Sequence, residues 1–305
     1  MSKKERRVSK KYARRSFNTV GLLMVVYVLA VLIVPFFLHM YLYNSSSIIK
    51  EDKLLYYGLY LIILFFGTVL PFFLMRKIFG VPFKKFSRNF NPTFVDLFVQ
   101  TIVFFTICIA LTYLSNILFS YFGMEAKLIS SIGFTYDDAA MDYPLYVFML
   151  LIMTPLIEEY AFRGVLLTVL SKYGKTFGLY ASAFLYALAH IHFAEMIPAF
   201  MMGIQLGKSS LRYKNITPAI FIHILFNILI YVLCVVPTSV TKYMAYGLVA
   251  VVVVAAYLIL SGRYERIKIQ KLRSIRITNF VFYTSPTIII AILLMIVHSL
   301  LFYYL

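Results

Sequence analysis

Residues 145–171 read LYVFMLLIMTPLIEEYAFRGVLLTVLS. The run exceeds the ~20 apolar residues that carry a helix across a bilayer, and only Glu158, Glu159 and Arg163 interrupt it with charge. An ionised side chain at mid-bilayer costs about 2.5–3.5 kcal/mol by insertion measurements. All three must therefore face the interior of a helical bundle. A membrane helix with a polar stripe needs other membrane helices around it.

The rest of the chain supplies them. Of 305 residues, 62% are hydrophobic, 18% aromatic and only 13% charged, with a mean hydropathy of +0.87, a composition that excludes a water-soluble domain. Apolar runs near 19–43, 54–75, 94–121, 145–171, 216–236, 241–261 and 278–301 are long enough to span, and 176–193 and 195–212 are shorter runs interrupted by His and Gly. The expected fold is all-α, a polytopic transmembrane bundle of about eight to nine spans.

Twenty-nine Lys and Arg against 12 Asp and Glu leave a net charge of +17. In a membrane protein that excess reads as topology and not as nucleic-acid binding, because cytoplasmic loops retain cations. With a cytoplasmic N-terminus, the basic stretches 76–93, 172–175, 208–214 and 262–277 all fall inside. The neutral or acidic stretches 44–53, 123–144, a tight turn at Glu195 and 237–240 fall outside, as does the C-terminus. Asp137, Asp138 and Asp142 then read as a solvated outer loop. The organisation is a basic cytoplasmic tail (1–17), N-terminal transmembrane helices (18–143), a helical core with the unusual polar residues (144–236), and C-terminal transmembrane helices with the basic cytoplasmic loop 262–277 (237–305). The expected location is the cell membrane. Cys108 and Cys234 lie in apolar runs, where a thiol acts as a small hydrophobe. Ala199, Gly203 and Gly207, four apart, read as a small-residue face for close helix packing.

On an ordinary α-helix Glu159 and Arg163 are one turn apart in the order that favours an ion pair. Glu158 points about 100° away and is left without a partner on its own helix. Desolvation of such a carboxylate suits a general base that takes a proton from water. A structural polar clamp between helices explains this segment equally well. Of five histidines, His39 and His298 lie near the outer ends of their spans and read as interfacial or structural. Tyr186 and His190 are four apart, as are His223 and Asn227, so each pair shares a helix face, and His192 points elsewhere. At ~1.5 Å per residue, Glu158, His190, His223 and Asn227 reach one level in the inner or middle membrane. A base for water, a group to hold that water and donors for an oxyanion are what peptide hydrolysis needs.

The order EExxxR (Glu158, Glu159, Arg163), an aromatic four before a histidine (Tyr186, His190) and HxxxN (His223, Asn227), over about 150–236, resembles the CPBP family of intramembrane proteases. That family holds type II CAAX prenyl endopeptidases and bacteriocin-processing or self-immunity (Abi) proteins. The resemblance implies Glu158 as catalytic base, His190 as its water-positioning partner, and His223 and Asn227 as oxyanion stabilisers, with Glu159, Arg163 and Tyr186 in support. Tyr186 stands where the family usually has Phe, which touches specificity more than catalysis. The family has been described both as metal-dependent and as metal-free glutamate proteases. No cofactor is expected, yet Glu158, His190 and His223 would make a His₂Glu zinc set with an open position. The implied partners are the lipid bilayer and a peptide or membrane-protein substrate: a bacteriocin leader, a signalling-peptide precursor or a CAAX-like terminus. The rival reading is a non-catalytic scaffold or immunity protein that regulates a membrane partner such as a sensor kinase or cell-wall enzyme.

Overall fold

The computed structural model describes residues 3–35, 53–82, 93–124, 144–190, 192–235, 247, 250 and 275–304. His39, the acidic loop with Asp137, Asp138 and Asp142, nearly all of the 241–261 run and most of the 262–277 loop lie outside the described residues, as does the Cys234 side chain. The described residues are almost all helical, with no strand among them. Four helices among them are long and apolar enough to cross a membrane: Lys10–Ile33, Gly58–Ile78, Phe94–Ser120 and Pro144–Ser171. Thr217–Leu233 and Pro286–Leu301 are shorter apolar helices. The protein is a multi-pass α-helical membrane protein.

In chain order the helices are α1 (Lys3–Val28, running on through the π-wound turn Leu29–Ile33), α2 (Lys53–Ile78), α3 (Phe94–Ser120), α4 (Pro144–Ser171), α5 (Lys175–Leu188), α6 (Phe193–Tyr213), α7 (Thr217–Val235), α8 (Ile275–Tyr283) and α9 (Pro286–Tyr304). The basic N-terminal stretch is thus continuous with the first apolar run, as expected of a segment rich in Lys and Arg, both good helix formers. The chain divides into two compact units: Met1–Pro82 with Tyr160–Ala189 and Gln270–Leu305, and Phe83–Glu159 with His190–Ile269.

The first unit packs α1 against α2, α8 and α9, and α5 against the last turns of α4. Its core is aromatic. Phe17 lies 4.7 Å from Tyr173, 5.7 Å from Phe177 and 5.2 Å from Phe282, centroid to centroid. Deeper, Tyr27, Phe72 and Phe162 form a mutual triad with centroids 5.5–5.9 Å apart. Tilted and edge-to-face rings at these spacings are the arrangements the ring quadrupole favours. Close approach of α1 to α9 demands glycine at position 21, where a Cβ would fall 2.4 Å from the Thr287 hydroxyl and 2.5 Å from the Ile288 amide nitrogen.

In the second unit α3, α6 and α7 pack on one another, and α7 also lies along the first half of α4. Thr93 and Asp96 cap α3 reciprocally, side chain to backbone amide. Leu97, Cys108, Met202, Leu206, Ala219 and Ile222 form a buried core. The Cys108 thiol, buried as expected, donates to the Pro198 carbonyl at 3.7 Å. Between α3 and α6 the Gln205 amide donates to Gln100 Oε1 at 3.2 Å, a buried pair of the kind that links membrane helices. Ala199, Gly203 and Gly207 are all buried on α6.

Glu195, read from the sequence as a tight outer turn, is 2% exposed in the first turn of α6, where a helix N-terminus favours a carboxylate. Of the two readings of His298 the structural one fits: it is buried in α9, hydrogen-bonded to the backbone at Leu32.

Candidate functional site

α4 is not a regular α-helix. Residues Met149–Met153 and Glu159–Leu166 are π-wound, a winding that is rare and concentrates at functional sites. For the first stretch the sequence supplies a cause. Pro155 has no amide hydrogen and its ring crowds the carbonyl four residues back, so the turn before it must widen. The Thr154 amide accordingly reaches Met149 O, five residues back. In α1 the same spacing recurs: the π turn Leu29–Ile33 precedes Pro35.

The second π stretch begins at the motif itself and changes where its side chains point. A regular helix would leave Glu158 the desolvated, unpartnered carboxylate. Instead Glu159 is the fully buried one and Glu158 retains 23% side-chain exposure. Both are reached by one imidazole from α7. His223 Nδ1 lies 2.9 Å from Glu159 Oε1, and His223 Nε2 lies 4.0 Å from Glu158 Oε2. A carboxylate oxygen can only accept, so with Glu159 ionised Nδ1 carries the hydrogen, and Nε2 is the nitrogen turned toward Glu158. The imidazole is 6% exposed, so this is a buried carboxylate–imidazole pair with a second, more open carboxylate beyond it.

Four residues further along α7, Asn227 Nδ2 donates to the Leu150 carbonyl at 3.0 Å. His223 meets the later residues of α4 and Asn227 the earlier ones, so α4 and α7 run antiparallel. The structure thus brings Glu158, Glu159 and His223 together, with Asn227 on the same pair of helices.

His190 belongs to the same unit, but it does not continue a helix face from Tyr186. α5 ends at Leu188, where the Ala189 amide is shared between Leu185 O and Tyr186 O, both at 3.2 Å. That tightened last turn ends the helix, and His190 stands in the bend after it, half-buried. His192 caps α6 in extended backbone and is buried.

In the other unit Arg163 and Tyr186 meet each other. The Arg163 guanidinium lies 4.1 Å from the centre of the Tyr186 ring, and Phe162 packs edge-on against the same ring at 5.2 Å. Arg163 is 3% exposed; the ring face offers a desolvated cation about 2 kcal/mol or more. Beyond the pairing read from the sequence, Glu159 contacts His223 and Arg163 covers Tyr186.

A hydrolytic zinc takes three protein ligands and keeps an open position. Among the described residues no three of His, Cys, Asp and Glu converge in a way that could hold a metal ion. The residues as arranged do not fit the zinc set Glu158, His190 and His223, and no step below passes through a metal.

Sequence reasoning missed Pro155 and the Leu150 carbonyl. Their signal was in plain view: a proline three residues before a carboxylate pair, inside an apolar span.

A multi-pass helical membrane protein with a buried carboxylate–imidazole–carboxylate cluster is the class that fold and site define. Residues 140–229 match the family model described as Type II CAAX prenyl endopeptidase Rce1-like. That match supports membership of the CPBP family, which the motifs resemble. No curated protein and no solved structure matches the chain significantly.

Proposed function

We propose that this protein is an intramembrane endopeptidase that hydrolyses a peptide bond in a membrane-associated peptide or protein, using water activated by Glu158. The observation that carries the reading is the asymmetry of the two carboxylates: Glu159 is fully buried and hydrogen-bonded to His223, while Glu158 keeps partial exposure on the Nε2 side of the same ring. A base that must meet water needs the second environment, and a residue that orients an imidazole needs the first.

In this reading Glu158 removes a proton from a water held with His190. The resulting hydroxide attacks the scissile carbonyl, and charge gathers on its oxygen. His223, its ring fixed by Glu159, and the second N–H of Asn227 donate to that oxyanion. Glu158 then returns the proton to the leaving amine, and the C–N bond breaks. Glu159 also compensates the charge of His223 when Nε2 carries a proton. Arg163 and Tyr186 support the far end of the motif helix. The full bundle has eight to nine spans, with the N-terminus in the cytoplasm and the chain in the cell membrane. The matched family directs attention to substrates with a prenylated CAAX terminus; bacteriocin leaders and signalling-peptide precursors fit the same membrane-adjacent chemistry.

The test uses the purified full chain in liposomes and internally quenched peptides, one farnesylated at a CAAX cysteine and one unmodified. Cleavage should occur, and Glu158→Gln should slow it by about 10²–10⁴-fold, the usual contribution of a general base. Cleavage should persist in a strong zinc chelator. Full activity in Glu158→Gln would overturn the assignment.

A further inference from the structure

We infer that the Asn227 carboxamide replaces the backbone N–H that Pro155 lacks, and by closing that gap fixes the turn of α4 that presents Glu158. The inference begins with hydrogen-bond accounting. In an α-helix the Leu150 carbonyl would accept from the Thr154 amide, but that amide is bonded to Met149 O. In the π register the next donor in line is residue 155, a proline. Neither register supplies Leu150 with a backbone donor, and Leu150 is 0% exposed. A buried carbonyl left in that state has lost its hydration with no bond to replace it, and water is scarce at that depth. Asn227 Nδ2 fills the position at 3.0 Å from the neighbouring helix.

The consequence for the site is geometric. His223 and Asn227 lie four residues apart on α7, and α4 meets α7 through both: His223 at the Glu158–Glu159 pair and Asn227 at Leu150. Pro155 lies between those two grips. A single grip at His223 would leave α4 able to rotate at its widened turn; the second removes that freedom. Asn227 is thereby a positioning residue for Glu158 through one N–H, while its other N–H is the one the proposed hydrolysis uses. The positioning claim rests on that hydrolytic reading; the clamp itself does not.

A double-mutant cycle on the full chain separates them. Pro155→Ala restores an N–H to residue 155 and so a backbone donor for Leu150. In the wild-type background Asn227→Ala should lower the Tm in detergent by roughly 2–4 °C, the shift expected when about 1 kcal/mol is lost from a chain of this size. In the Pro155→Ala background the same substitution should lower it by less than about half as much. In liposomes, with the farnesylated quenched peptide, Asn227→Ala should reduce kcat at least tenfold more in the wild-type background than in Pro155→Ala, with KM little changed in either. Equal losses of Tm and kcat in both backgrounds would overturn the inference and leave Asn227 an oxyanion donor alone. Accumulation of Pro155→Ala/Asn227→Ala where Asn227→Ala fails to accumulate would support it. Failure of both variants, or of Pro155→Ala alone, would count against it. If the wild type cleaves nothing, the hydrolytic reading falls while the Tm cycle still decides the clamp.

Discussion

Both compact units of this protein join helices through rings, but they differ in what meets the motif's charges: a ring in one, an imidazole in the other. Around α1, α2, α5, α8 and α9, Phe17 packs with Tyr173, Phe177 and Phe282, beside the Tyr27–Phe72–Phe162 triad, and Arg163 covers Tyr186. Around α3, α6 and α7, ring pairs such as Phe105 with Phe226 and Phe119 with Phe193 are joined by buried hydrogen bonds of Gln205 with Gln100, Asn227 with Leu150 O, and His223 with Glu159. The motif EExxxR is divided between them: Glu158 and Glu159 belong to the second unit, with His223, and Arg163 to the first, aromatic one. Rings tolerate small displacements because dispersion and quadrupole forces vary gently with angle. Buried hydrogen bonds do not, since a misplaced donor leaves a desolvated acceptor. The groups assigned to chemistry therefore sit among buried hydrogen bonds, where geometry is most tightly specified.

Substitutions can break this contrast. The largest effect is expected from Glu158→Gln, a rate loss of about 10²–10⁴-fold with little change in Tm; a comparable loss of stability would mean that Glu158 is a clamp. His223→Ala should do both, removing activity and costing about 3–5 kcal/mol, because the buried Glu159 carboxylate loses its imidazole partner. Phe162→Ala should cost a similar ~3–5 kcal/mol by opening a cavity among the aromatic rings, yet leave the rate per folded molecule nearly unchanged. A rate loss in proportion would show that the aromatic unit takes part in the chemistry. Gln205→Leu should cost about 1–3 kcal/mol by stranding Gln100, and the Gln100→Leu/Gln205→Leu pair should recover most of it. Tyr186→Phe should be the mildest, about 0.5–1.5 kcal/mol, the net worth of one hydroxyl hydrogen bond, since the ring face that Arg163 covers is retained.

Much of this was legible in the chain itself. An apolar run of membrane length broken by three charges gave the helix and its inward face, and the spacing of His223 and Asn227 correctly placed both on α7 against α4. The errors share one origin, the use of an ideal 3.6-residue period. That period made Glu158 the desolvated carboxylate and extended α5 to His190. A π-wound stretch cannot be read from residue periodicity, because it arises from a missing donor and from what neighbouring helices offer in its place. Pro155 was the visible half of that information; the other half, an amide 72 positions later, becomes visible only in three dimensions.

The contact at Gly21 has a consequence for biosynthesis. Its groove is filled by Thr287 and Ile288, the Thr287 hydroxyl donates to Asn18 O at 2.8 Å, and Arg14 donates to the Thr284 hydroxyl at 3.1 Å. The first described helix is thus completed by the last described one, more than 260 residues later. Until α9 is made and inserted, the notch at Gly21 has no Thr287 and Ile288 to fill it. Assembly of the aromatic unit therefore waits on α9, however early α1 is made.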